Sequence, residues 1–166
     1  MLQEKALAIL KSGKNVFLTG SAGTGKTYVL NEYITYLKAR KVPVAITAST
    51  GIAATHMNGM TIHSWAGIGV KDHLTKGNLA SMKAKKYLKT HLERVKVLII
   101  DEVSMLHKNQ INLVDIVLQY FKDNNDPFGG IQVVLSGDFF QLPPIPPDDF
   151  CFEDKLFDEY FKDTKF

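Results

Sequence analysis

The chain has 166 residues, a length that suits one domain, and 45% of them are hydrophobic, enough for a core. Its single cysteine, Cys151, excludes an internal disulfide and points to an intracellular, reducing compartment. The net charge of +3 does not by itself mark a nucleic-acid binder, and no run approaches the ~18 apolar residues of a membrane span, so no membrane partner is expected.

In chain order, a helix is predicted from Leu2 to Lys11, and the apolar run Val16-Phe17-Leu18 makes a strand of Asn15–Thr19. Next comes Gly20-Ser21-Ala22-Gly23-Thr24-Gly25-Lys26-Thr27, which meets the phosphate-binding pattern G-x-x-x-x-G-K-[ST] at every fixed position. Leu30, Tyr33, Ile34 and Leu37 then recur with a helical period as far as about Arg40. Glycines let backbone N–H groups wrap a phosphate without Cβ clashes, and the helix start adds partial positive charge. Lys26 suits the β- and γ-phosphates, and the Thr27 hydroxyl suits Mg²⁺. The chain is therefore expected to bind a nucleoside triphosphate.

Pro43 to Thr47 reads as the next strand and runs into Thr47-Ala48-Ser49-Thr50-Gly51-Ile52-Ala53-Ala54. Small hydroxylated residues before a glycine and a helix start offer donors to a phosphate. A plain helix cap by Ser49 or Thr50 is the alternative. Thr61-Ile62-His63-Ser64-Trp65 then sets polar donors beside an aromatic, with Trp65 either stacked on a base or buried in the core. The lysine-rich stretch from Lys71 to Lys96 either tracks a phosphate backbone or is a solvated helix face. None of the histidines has the spacing of a zinc site.

Val97 to Asp101 lacks alternation, as a strand buried on both faces should. Asp101-Glu102 closes it. Asp101 is expected to hold Mg²⁺, usually through water, and Glu102 to orient and deprotonate a water attacking the γ-phosphate. A helix carrying Leu106, Ile111, Val114, Val117, Leu118 and Phe121 follows, then a turn-rich loop from Asn124 to Gly130 and a strand from Gln132 to Leu135. Beyond it, Gln141 is an uncharged group able to bond both a γ-phosphate oxygen and the attacking water. Alternating strands and helices imply an α/β fold with a parallel sheet flanked by helices on both faces. Ligands then sit at the carboxyl ends of the strands, where each of these motifs falls.

Together GSAGTGKT (Gly20–Thr27), TASTGIAA (Thr47–Ala54), TIHSWAGIG (Thr61–Gly69), LIIDEVSML (Leu98–Leu106) and GDFFQLPP (Gly137–Pro144) resemble the N-terminal motor domain of the petite-integration-frequency (PIF-type) DNA helicases. These are superfamily 1 relatives of the RecD helicases. The resemblance covers about Leu2 to Phe152. It implies a RecA-like P-loop fold over residues 1–152 and ATP-driven 5′-to-3′ movement on single-stranded DNA with Mg²⁺, in DNA repair, recombination or telomere maintenance. It implies that Gln3 reads the adenine edge and that Thr50, Gly51, His63 and Ser64 lie along the DNA path, with Trp65 where the family is expected to have Phe. It also lets Gln141 couple the γ-phosphate to DNA grip.

Such a motor closes ATP between two RecA-like domains, the second of which supplies arginine fingers. Here Arg40 and Arg94 both precede the Asp101-Glu102 motif. The chain is thus expected to be a monomeric first domain, with the acidic residues 153–166 leading to the second. Alone it should bind ATP, hydrolyse it slowly and not unwind a duplex. Two other classes fit the phosphate loop: a small-molecule kinase, opposed by the water-activating Asp101-Glu102 pair, and a non-catalytic module switched by nucleotide.

Overall fold

The computed structural model describes residues 3–19, 25–56 and 58–137. Helix α1 (Gln3–Lys11) leads to β1 (Val16–Thr19), and α2 (Lys26–Ala39) to β2 (Val44–Ala48). Then come α3 (Gly51–His56), the two-residue β3 (Met60–Thr61) and the single turn α4 (Ile62–Trp65). Helices α5 (Lys76–Ala84) and α6 (Lys86–Arg94) precede β4 (Val97–Asp101). A 3-10 turn at Val103–Met105, α7 (Lys108–Lys122), a second 3-10 turn at Pro127–Gly130 and β5 (Gln132–Gly137) complete the described chain.

The five strands form one parallel sheet in the order β1-β5-β4-β2-β3. Alternate residues of each strand feed different cores, because successive side chains point to opposite faces. Leu98, Ile100, Val133 and Leu135 join the core beneath α4 to α7, whereas Val97, Ile99 and Val134 join the one beneath α1 and α2. Burial on both sides explains the unbroken apolar runs of β4 and β5.

The observed elements follow the expected α/β alternation with small shifts. Strand β2 begins and ends one residue later than its apolar run suggests, and β5 extends to Gly137 because it stays paired with β1 through Thr19. The lysine-rich stretch folds into α5 and α6. Their buried Leu79, Met82, Leu88 and Leu92 join the larger core, and the lysines are exposed except half-buried Lys83, whose ammonium lies 5.1 Å from the Tyr120 ring centroid. Thr75 and Asn78 start α5 with reciprocal side-chain to backbone bonds of 3.0 Å. Strand β3 was not legible in sequence, since two residues carry no period.

Candidate nucleotide and DNA site

The parallel register sets the strand ends side by side. Thr19 pairs with Gly137, Ile100 with Leu135, and Ala48 with Asp101. Gly20, Ser21, Ala22, Gly23, Thr24 and Gln141 lie outside the described residues. At the end of the phosphate-binding motif, Gly25 has φ +88° and forms the start of α2 with no side-chain cap. A Cβ there would meet the Gln3 amide nitrogen at 2.0 Å, so glycine is needed both for the backbone and for the space. That same contact brings Gln3 against the motif. A shallow cleft beside it is lined by Gln3, Glu4, Leu7, Tyr28, Val29 and Glu32. Tyr28 is 57% exposed there, an aromatic neighbour of the motif that sequence reading passed over. Half-buried Lys26 and exposed Thr27 occupy the first turn of α2, and a helix start suits an anion.

At the end of β4, the Asp101 carboxylate accepts the Glu102 N–H at 2.9 Å. Glu102 itself is left-handed, with φ 55° and ψ 41°, a conformation that costs a non-glycine residue about 1–2 kcal/mol. Ser49 helps to hold it there, beside the Met105 N–H, which donates to the Glu102 carbonyl at 3.1 Å. The Ser49 N–H donates to the Asp101 carbonyl at 3.1 Å, and the Ser49 hydroxyl donates to the Glu102 carbonyl at 2.6 Å. The sequence offered Ser49 or Thr50 as a helix cap. Thr50 is the cap, its hydroxyl accepting the Ala53 N–H at 3.2 Å, and Ser49 is left to bind the neighbouring strand end. Gly51 follows, exposed at the start of α3 with nothing near its Cα on the side a Cβ would take.

Among the described residues, no group of three or more His, Cys, Asp or Glu could hold a metal alone. Mg²⁺ keeps several waters and takes phosphate oxygens with one or two protein groups. Thr27 and Asp101 are of the right kind for it.

The second polar motif folds as a tight cap. The Thr61 hydroxyl accepts the Ser64 N–H at 3.2 Å and lies 3.0 Å from the Ser64 hydroxyl. His63 is half-buried, and its Nε2 lies 2.7 Å from the Gln110 side-chain nitrogen. Gln110 Oε1 already accepts the His107 N–H at 2.8 Å, so its amide nitrogen must donate to His63. His63 therefore carries its proton on Nδ1, and burial pushes its pKa below the ordinary histidine value. Gln110 was missed in sequence. Its only signal is the three-residue spacing from His107 at a helix start.

Trp65 corrects an expectation. The ring is 5% exposed and belongs to the larger core. It stacks on His91 with centroids 5.5 Å apart, and His91 Nε2 bonds the Trp65 carbonyl at 2.6 Å. The cleft it borders, with Pro43, Arg94 and Val95, opens at the amino ends of β2 and β4, opposite the phosphate-binding motif. An indole used this way does not stack on a base at the strand carboxyl ends.

Likeness to known proteins bears on this arrangement. The model of the PIF1-like helicase family matches residues 3–150. The ATP-dependent DNA helicase Pif1 of Psychrobacter sp. (strain PRwf-1) is 68% identical over 145 residues, which are 87% of this chain and 22% of that protein. The crystal structure of Pif1 helicase from Candida albicans superposes with a TM-score of 0.90 at 39% identity, covering 99% of this chain and 39% of that one. The Bacteroides Pif1 helicase in complex with ADP-AlF3 and ssDNA gives 0.76 at 34% identity, covering 99% of this chain and 40% of that one. The chain thus spans under a quarter of the Psychrobacter relative.

Proposed function

From the premise that this chain belongs to the PIF1-like helicase family, we propose that it is the first ATP-binding, RecA-like motor domain of an ATP-dependent DNA helicase. The helicase moves 5′ to 3′ on single-stranded DNA inside the cell, in a reducing compartment. Residues 1–152 form this domain, and the acidic residues 153–166 lead toward a second one.

The observation that carries the reading is the adjacency of β2 and β4. Ala48 pairs with Asp101, so the Thr50-Gly51 turn, the DNA-facing element of the reading, abuts the carboxylates that serve ATP. Lys26 binds the β- and γ-phosphates, and Gly20 to Gly25 wrap them through backbone N–H groups. Gln3 reads the adenine edge. Thr27 and Asp101 would hold Mg²⁺, which would screen the phosphate charge. Glu102 accepts the proton of the attacking water, and Gln141 orients that water and reports the γ-phosphate. Thr50, Gly51, His63 and Ser64 line the DNA path, His63 as a neutral hydrogen-bonding group rather than a cation.

The arginines support a need for a second domain. Arg40 follows the far end of α2, about 20 Å from Lys26 at the helical rise per residue, and stacks its guanidinium 3.8 Å over the Tyr36 ring. Arg94 ends α6 at the amino edge of the sheet. Neither can reach a γ-phosphate. An arginine finger from the second domain accounts for roughly 10³–10⁵ in rate at comparable sites. The 166-residue chain should therefore bind ATP and turn it over slowly, whereas the intact protein should hydrolyse ATP faster with oligothymidine and unwind a tailed duplex. Lys26→Ala should remove ATP binding without unfolding the domain. Unchanged ATP affinity in that variant, or vigorous unwinding by the 166-residue chain, would refute the reading.

A further inference from the structure

We propose that Gln110 is a positioning residue that fixes His63 as a neutral hydrogen-bond donor at Nδ1, through which His63 grips a phosphate oxygen of single-stranded DNA. This rests on the helicase reading above, which puts His63 on the DNA path. Gln110 sits in the first turn of α7. Its Oε1 accepts the His107 N–H at 2.8 Å, and a backbone N–H can only donate, so the amide has one orientation. The Gln110 nitrogen, 2.7 Å from His63 Nε2, then has to donate, and Nε2 has to accept. An imidazolium carries a proton on both nitrogens and has no acceptor to offer there. The proton of His63 is thereby confined to Nδ1, since the bond made by one ring nitrogen sets the state of the other. Half-burial of the ring acts in the same direction, against the cation.

The contact governs the proton and not the path of the chain. The His63 carbonyl accepts the Ile68 and Gly69 N–H groups at 3.0 and 3.2 Å, and Thr61 caps the same turn through the Ser64 N–H at 3.2 Å. These bonds remain when Gln110 is replaced. Among the described residues, no hydrogen bond engages His63 Nδ1, which leaves its N–H for a ligand. A strand phosphate suits it. Half or more of protein–DNA hydrogen bonds go to phosphate and sugar, and a motor that moves over any sequence has to hold what every nucleotide shares. A neutral donor adds a directional bond there without displacing a counterion.

The test reads the His63 imidazole nitrogens by NMR in the 166-residue chain, and oligothymidine affinity by anisotropy in the intact protein in which this sequence occurs. In neutral buffer, wild-type Nδ1 should carry the proton and Nε2 should not. In Gln110→Glu a proton should appear on Nε2, because a carboxylate only accepts. A protonated Nε2 in the wild type, or a bare one in Gln110→Glu, overturns the proposal whether or not DNA binds. Gln110→Leu should weaken oligothymidine binding about three- to tenfold, the worth of one hydrogen bond, with KM for ATP within about twofold. An abasic oligomer should show the same loss, and a loss confined to oligothymidine overturns the phosphate assignment. His63→Asn sets an amide where Nδ1 stood. It should leave the slope of log Kd against log salt unchanged, and in that background Gln110→Leu should cost nothing more. A slope lowered by about 0.7, the share of one cation on a single strand, or a full further loss from Gln110→Leu, overturns the proposal. If His63→Ala binds oligothymidine like the wild type while the spectra are as expected, the fault lies in the DNA path of the helicase reading, and the grip on phosphate falls with it.

Discussion

Phe128 and Glu102 both hold a left-handed backbone that bulky or charged residues seldom adopt, and they lie at opposite edges of one sheet. Phe128, at φ 53°, precedes the amino end of β5, and Glu102, at φ 55°, follows the carboxyl end of β4. What compensates each differs. The Phe128 ring is 1% exposed within the larger core, and its N–H donates to the Asp115 carboxylate at 2.6 Å. Next to it, a Cβ on Gly129 would meet the Leu118 carbonyl at 2.7 Å, so the turn is packed directly against α7. The Glu102 backbone is held by hydrogen bonds: its carbonyl accepts the Ser49 hydroxyl at 2.6 Å and the Met105 N–H at 3.1 Å, and its N–H donates to the Asp101 carboxylate. The amino edge spends its strain on packing. The carboxyl edge keeps its strained residue half-buried, beside the site where phosphate and water are to bind.

The same contrast runs along both edges. At the amino edge, the buried Gln132 amide donates to the Leu10 and Lys14 carbonyls at 3.0 and 2.7 Å and accepts the Tyr33 hydroxyl at 2.5 Å. At the carboxyl edge, the fully buried Ser104 hydroxyl, two residues past Glu102, has no hydrogen-bond partner among the described residues. Buried polar groups are normally paired, and exceptions gather where function outweighs stability.

The largest effect should come from Glu102→Gln, which removes the proton acceptor. Turnover in the intact protein should fall by roughly 10²–10⁴ while ATP binding persists, as single-turnover hydrolysis and nucleotide titration would record. Next, Phe128→Ala should cost about 3–5 kcal/mol in denaturant unfolding, the usual price of emptying a buried aromatic site. The nucleotide affinity of the folded fraction should not change. A Phe128→Ala variant that kept its stability and lost activity would erase the difference between the edges.

A smaller effect isolates the strain itself. Glu102→Gly and Glu102→Ala both lack the carboxylate, yet the glycine variant should be the more stable by about 1 kcal/mol, because only glycine accepts that φ without a Cβ clash. Equal midpoints would mean the backbone relaxes when the side chain is cut. The smallest effect concerns His63. Burial lowers its folded-state pKa, so on acidification the unfolded chain takes up this proton first. Its contribution is full above the ordinary histidine pKa of about 6.5 and is lost as pH falls through the folded value. His63→Gln should therefore flatten the decline of Tm between about pH 7 and pH 5, the window below that ordinary value. A decline as steep as in the wild type would show that another group governs it.

The sequence by itself determined the alternation of strands and helices, the doubly buried β4 and β5, and the placing of each motif at a strand end. These are local properties: periodicity, glycine spacing and residue type survive in one dimension. Arg40 and Arg94 were likewise visible as the chain's two arginines, though not their distance from Lys26. Only the tertiary structure decided the rest. Trp65 looks identical in sequence whether it meets a base or His91, since the partner comes from 26 residues away. Ser49 reads as a helix cap until β2 and β4 are paired, when register alone brings it to a residue 53 positions distant. Glu102 shows no sign of its left-handed backbone, because nothing local favours it. Such contacts join chain segments whose separation carries no pattern, and the free energy that fixes them comes from packing the whole sheet.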